Sequence, residues 1–190
     1  GSFYLFKKIV FTEIKNRIGK SPKETTVFHP DMQNSDFIGA LKPAVVKGVV
    51  TYKFSPGPFA KALVKAYKNL SKDVYLVIEE LNRAPAMAVF GELFQLLDRE
   101  DNGKSTYGVD FPSDEFKAWL DEETNLCHTE IRLPSNLSIY ASMNSADQGV
   151  YPLDTAFKRR WHQEYINIDW GDPLLQAKIT IIKDGSEHVI

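Results

Sequence analysis

The stretch "VYLVIEELNRAPAMAVFGELFQLLD", residues 74–98, decides how the chain is to be read. It opens with an unbroken apolar run, Val74 through Ile78, rich in β-branched side chains and too short for a stable helix. Such a run predicts a parallel strand covered on both faces. Pro85 then suits the first turn of a helix on which Val89, Phe90, Leu93, Leu96 and Leu97 recur at threes and fours. Between strand and helix stand two adjacent acids, Glu79 and Glu80. Neighbouring strand residues point to opposite sides, which would give the two acids different roles. One could hold a divalent metal through water while the other orients or deprotonates an attacking water. The plainer reading places both as anions at a helix N-terminus.

Outward from this stretch, strands and helices alternate, the pattern of an α/β fold with a parallel sheet. Residues 3–18 have helical spacing, "TTVFHP" reads as a short strand, and Asn34-Ser35 can cap a short helix. "KPAVVKGVVTYKFSPGP" gives two β-rich arms about Lys47-Gly48, a hairpin spanning 42–57. Residues 59–70 are helical again. The polar, turn-rich and weakly patterned segment 99–133 reads as an insert before the next strand. "NLSIYASMNSAD" is a second strand with a polar end, "YPLDTAFKRRW" a short helix with a basic end, and "HQEYINID" a third strand. "KITIIKDGSEHVI" forms a terminal hairpin about Asp184-Gly185. Ligands of such sheets bind beyond the carboxyl ends of the strands, where the acids and Asn144 both lie.

Composition narrows the classes. A formal charge of −2 over 190 residues offers no global basic field for nucleic acid, although a local patch is compatible with it. A single cysteine, Cys127, excludes an internal disulfide and fits a reducing cytoplasm. No apolar run reaches the roughly 20 residues of a membrane span, and no signal peptide is visible. The histidines (His29, His128, His162, His188) lack metal-ligand spacing, and the Cys127-His128 neighbours lie in the weakly patterned insert.

An acid pair, a helix, an asparagine-ended strand and a double arginine, in that order, resemble the AAA+ ATPases. "VYLVIEELNRA" is similar to their Walker B strand, "IYASMNSAD" to the sensor-1 strand, and "PLDTAFKRRW" to the arginine-bearing helix before the last core strand. The wording is closest to the McrB-like branch and, more loosely, to the MoxR-like and dynein-related ATPases. "FHPDMQNSDFIGALKP" and the following hairpin are similar to that branch's insert within the second helix, so the resemblance spans residues 3–170.

The resemblance implies a parallel-sheet P-loop NTPase core over 1–170, with a terminal hairpin at 171–190 leading toward a helical lid. It gives Glu79 the magnesium-facing place, Glu80 the water-activating place and Asn144 the sensor-1 place. Arg159 or Arg160 would be the finger acting on the adjacent subunit. Asn82, Arg83 and Asp147 match further nucleotide-site positions, with Asn82 and Arg83 at the subunit interface. Two departures stand out: Glu79 replaces the family's usual aspartate, and Gln148 replaces a frequent basic residue. The implied ligands are magnesium with ATP or GTP. The implied assembly is a homo-oligomeric, hexameric ring in the cytoplasm, with a nuclease or other effector subunit and DNA as an indirect partner. The function expected is NTP hydrolysis driving the remodelling or translocation of a partner; the alternative is a nucleotide-independent scaffold of the same fold.

A P-loop, G-x-x-x-x-G-K-[ST], does not occur. The Gly-Lys-Ser triplets at Gly19 and Gly103 have Ile14 and Asp98 where the first glycine belongs. The resemblance places the phosphate loop just before residue 3 and reads Gly1-Ser2 as a remnant of trimming, so the 190 residues alone are expected not to bind nucleotide. The strand preceding that loop would lie between strands 136–143 and 163–168. The spare β-rich segment 178–185 is the expected occupant of that place, with a simple terminal hairpin as the competing outcome.

Overall fold

The computed structural model describes residues 14–144 and 148–164, together with strands 180–183 and 186–189. These fall into two compact units, one of residues 18–162 and one combining 1–17 with 163–190.

In the larger unit the central sheet has three parallel strands. β1 (Lys23–Val27) and β5 (Leu137–Ala141) flank β4 (Val74–Glu79). β4 is the middle strand because it alone is apolar on both faces, with Val74, Leu76, Val77 and Ile78 all buried. The parallel register Thr26↔Ile78 and Ile78↔Ala141 brings the three carboxyl ends to one edge.

Between β1 and β4 run α1 (Asn34–Ile38), the hairpin β2 (Gly39–Val46) and β3 (Val49–Pro56), and α2 (Pro58–Lys68). Lys47 and Gly48, the two turn residues, both have positive φ, as primed hairpin turns require. At the hairpin's base the backbones crowd: a Cβ on Gly57 would lie 2.3 Å from the Phe37 carbonyl oxygen. α2 begins with Pro58 at its first position, and its C-terminal carbonyls are gathered by Asn136, whose Nδ2 reaches Ala66 O, Asn69 O and Lys72 O at 3.0 Å each.

The single helix expected after Pro85 is divided. α3 (Ala86–Phe90) stops at Gly91, and a 3-10 helix, Gly91–Leu97, continues the chain. Gly91 has φ +54, and its α-carbon lies so near Asn34 that a Cβ there would meet Nδ2 at 2.9 Å. The apolar positions survive the change, since Phe90, Leu93 and Leu96 are three apart and remain buried.

The insert is more ordered than its composition suggests. α4 (Asp114–Thr124) lies within it, capped by Ser113 Oγ, which accepts from Phe116 N at 3.2 Å. Phe116 and Leu120 form its buried side, a spacing obscured in sequence by the five acids among its eleven residues. α5 (Thr155–Lys158) closes the described part of the larger unit. It is anchored by Phe157, whose ring packs edge-on to Phe90 at 5.3 Å; Phe90 in turn packs at a tilt against Phe37 at 4.9 Å.

In the smaller unit Arg17 and Glu164 form a two-pronged ion pair, both contacts 2.8 Å. β6 (Thr180–Lys183) pairs antiparallel with β7 (Ser186–Val189), from Thr180↔Val189 to Lys183↔Ser186. Among the described residues its ladder partners all belong to that neighbouring arm. The expected terminal hairpin thus forms, its two-residue loop costing little chain entropy; the pairing of segment 178–185 near strand 163–168 falls mostly outside the described residues. The expected third strand, 162–169, falls mostly outside the described residues.

Candidate functional site at the strand ends

The carboxyl ends of β4 and β5 are stitched together through Ser142. Its backbone N–H donates to Ile78 O at 2.9 Å, and its carbonyl accepts from Leu81 N at 2.9 Å. Its hydroxyl lies 3.4 Å from the backbone N–H of Glu80. Here the strand alternation expected of the two acids ends. Glu79 is the last residue of β4, whereas Glu80 turns into the left-handed region at φ 59°, ψ 43°. A non-glycine residue there costs about 1–2 kcal/mol, a strain that clusters at functional sites.

The turn brings the Glu80 carboxylate inward. Its Oε2 is shut off from solvent with no hydrogen-bond donor among the described residues; the nearest cation, Arg83 Nε, is 3.9 Å away. Asn82, only 4% exposed, sits beside it. Its Nδ2 donates to Asn144 O at 2.9 Å, and its own carbonyl accepts from Tyr151 N at 2.7 Å. Asn82 Oδ1, like Glu80 Oε2, is buried and lacks a donor among the described residues. Arg83 reaches from the same turn to Gln148 O at 3.4 Å. Glu79, Glu80, Asn82, Arg83 and Asn144 are thus gathered at one edge of the sheet. Asn82 is buried between the ends of β4 and β5. Asp147 lies outside the described residues.

The two arginines of α5 differ sharply. Arg160, with 10% of its side chain exposed, donates from Nε and Nη2 to Asp98 Oδ2 at 2.9 and 2.7 Å. Its Nη1 donates to Ala156 O at 2.7 Å, and its guanidinium stacks 4.5 Å over the Phe94 ring. Arg159 caps α5 through its backbone, and its side chain is exposed.

A family model for the AAA domain of the dynein-related subfamily matches residues 6–161. The chain belongs to this AAA family. It is 40% identical over 181 residues to the Type II restriction enzyme BsuMI component YdiS of Bacillus subtilis (strain 168), covering 83% of this chain and 52% of the relative. Over 170 residues it is 28% identical to the Type IV methyl-directed restriction enzyme EcoKMcrB subunit of Escherichia coli (strain K12), covering 88% of this chain and 33% of that one. The chain thus spans about half the length of the first relative and a third of the second. A solved structure from Cytophaga hutchinsonii overlays 77% of this chain and 35% of its own at 22% identity, with a TM-score of 0.41.

The AAA+ fold, the parallel sheet and the McrB-like wording therefore agree: this is an ATPase-type module with the α/β architecture of P-loop NTPases. AAA domains bind nucleotide, usually with magnesium, and commonly work as rings. Among the described residues no three His, Cys, Asp or Glu gather as a metal cluster. Magnesium in phosphate sites asks for only one or two carboxylates beside phosphate and water oxygens, which the Glu79–Glu80 end of an AAA+ strand fits. Among the described residues no helix is long and apolar enough to cross a membrane.

Two parts of this candidate site have no local signal in the sequence. Ser142 is an ordinary strand-end serine until the register places its hydroxyl near Glu80 N. Asp98 and Phe94 become partners of Arg160 only because the fold returns the chain after more than 60 residues.

Proposed function

We propose that this module, in its full-length protein, hydrolyses ATP or GTP within an oligomeric ring and uses the cycle to remodel or translocate a partner, as the motor of a restriction-type system. The relatives' names favour that setting over the nucleotide-independent scaffold. The observation that carries the reading is the Glu80 carboxylate, turned inward by a strained backbone, with one oxygen buried and lacking a hydrogen-bond donor. A buried acceptor without a donor costs about 1–3 kcal/mol, and a water between carboxylate and phosphate would supply the missing hydrogen.

In this reading Glu80 holds and deprotonates the attacking water, and Asn144 orients it from the neighbouring strand. Glu79 would hold magnesium, which when bound neutralises charge on the phosphates. Asn82 positions Asn144, while Arg83 and Asp147 approach the nucleotide or the next subunit. Arg159 is the finger offered to the neighbouring subunit, because Arg160 is engaged inside its own chain. Residues 1–170 would form the core, with 42–57 and 99–133 as inserts, and 171–190 would lead toward a lid. An effector or nuclease subunit would complete the assembly, with DNA an indirect partner of the nucleotide cycle.

The test uses the full-length protein. Glu80→Gln keeps nucleotide binding and lowers turnover by about 100-fold or more, because the base is removed while its shape remains. Arg159→Ala lowers turnover similarly or more, and mixing it with Glu80→Gln subunits restores activity, since each supplies what the other lacks. Unchanged turnover in Glu80→Gln would refute the reading.

A further inference from the structure

Beyond the nucleotide site, the β2–β3 hairpin carries a surface that the rest of the molecule does not cover. Its base is pinned to the core: Phe54 packs edge-on to Phe116 at 5.4 Å and lies 5.2 Å from Trp119. Its outer half stands clear, with Val45 72%, Val49 66%, Val50 66% and Tyr52 68% exposed. Alternation divides the ribbon into two faces. Pro43↔Tyr52 and Val45↔Val50 pair on one, while Lys42↔Lys53, Ala44↔Thr51 and Val46↔Val49 pair on the other.

Two lysines directly opposite each other on one face are destabilising unless an anion shares them. Residues 39–57 contain three lysines, Lys42, Lys47 and Lys53, and no acid, in a chain whose formal charge is −2. None of the three forms an ion pair among the described residues. Lysine is depleted in protein–protein interfaces, whereas neutralising phosphates requires it. A two-stranded ribbon is also the width that a DNA major groove admits. Exposed aliphatic side chains at the tip can contact thymine methyls or wedge between base steps.

We propose that the β2–β3 hairpin is a duplex-DNA-binding ribbon, with Lys42, Lys47 and Lys53 on phosphates and Tyr52 and the valine tip against the groove. The contact is made by this chain directly and requires no nucleotide at the strand-end site, so it stands or falls apart from the hydrolytic reading.

The experiment measures fluorescence anisotropy of a labelled 20-base-pair duplex with the 190-residue chain between 50 and 200 mM salt. A 20-nucleotide single strand serves as the second arm, and no nucleoside triphosphate is added. Duplex affinity should fall with salt, and the joint variant Lys42→Ala/Lys53→Ala should reduce the slope of log K against log salt by about 2. Tyr52→Ala should weaken binding while leaving that slope unchanged. All three side chains are exposed on the hairpin, so thermal unfolding of each variant should match the parent. Absence of duplex binding at 50 mM salt overturns the proposal, as does a slope unchanged in the double-lysine variant or a clear preference for the single strand. A concentration-dependent dimer abolished by the same substitutions, without DNA binding, assigns the ribbon to self-association and equally overturns it.

Discussion

β4 and the β2–β3 hairpin are written in nearly the same residues and end in opposite environments. Each is rich in valine and carries a tyrosine, yet Val74 and Val77 are buried while Val45, Val49 and Val50 stand largely in solvent. β4 has a parallel neighbour on each side and helices over its faces; among the described residues the hairpin's arms pair with each other alone, and its base packs through Phe54. The difference teaches that β-propensity reports a preference for a pleated surface, while burial is set by what else arrives there. Where nothing arrives, an apolar strand surface becomes a means of interaction.

The sharpest way to break the comparison is to truncate one apolar side chain in each region. Leu76→Ala in β4 should destabilise the chain by about 2–5 kcal/mol, because a fully buried side chain leaves a cavity. Val50→Ala in the hairpin should change stability by no more than about 0.5 kcal/mol. Urea unfolding of the two variants reads both. Similar losses would mean that the hairpin is covered in solution.

A second contrast lies between neighbours in sequence. Arg160→Ala should cost about 2 kcal/mol, since it strips Asp98 and the Phe94 ring of their partner. Arg159→Ala should leave the unfolding midpoint unchanged. A stability loss at Arg159 as large as that at Arg160 would remove the reason for assigning the finger to Arg159.

The smallest expected effect extends the comparison to the insert. Burial holds the His128 imidazole below its ordinary value, with nearby Asp121 acting in the opposite direction and Lys117 in the same one. As pH falls below about 6.5, the unfolded chain takes up a proton that the folded chain resists. Stability should therefore decline with pH in that range, and His128→Gln should flatten the decline. Thermal unfolding at pH 5, 6 and 7 measures it; an unchanged slope would show that the buried imidazole is not its source.

Much of the fold was legible because it is local. The run at Val74–Glu79, the turn at Lys47-Gly48 and the proline opening α2 each carry their instruction within a few residues. α4 was hidden because its acids dilute the buried Phe116 and Leu120 positions. The helix after Pro85 is shorter than its spacing predicts because Gly91's break depends on how near Asn34 comes from another part of the chain.

By itself, the sequence determined the parallel α/β class, the hairpin and the family, since periodicity, turn chemistry and motif wording are properties of neighbouring residues. Only the tertiary structure decided that Glu80 leaves the strand in a strained turn, that Asn82 lies buried between two strand ends, and that Arg160 is held by Asp98 while Arg159 stands exposed. The physical reason is that hydrogen bonds and ion pairs across tens of residues depend on register and packing, which no short window of sequence contains.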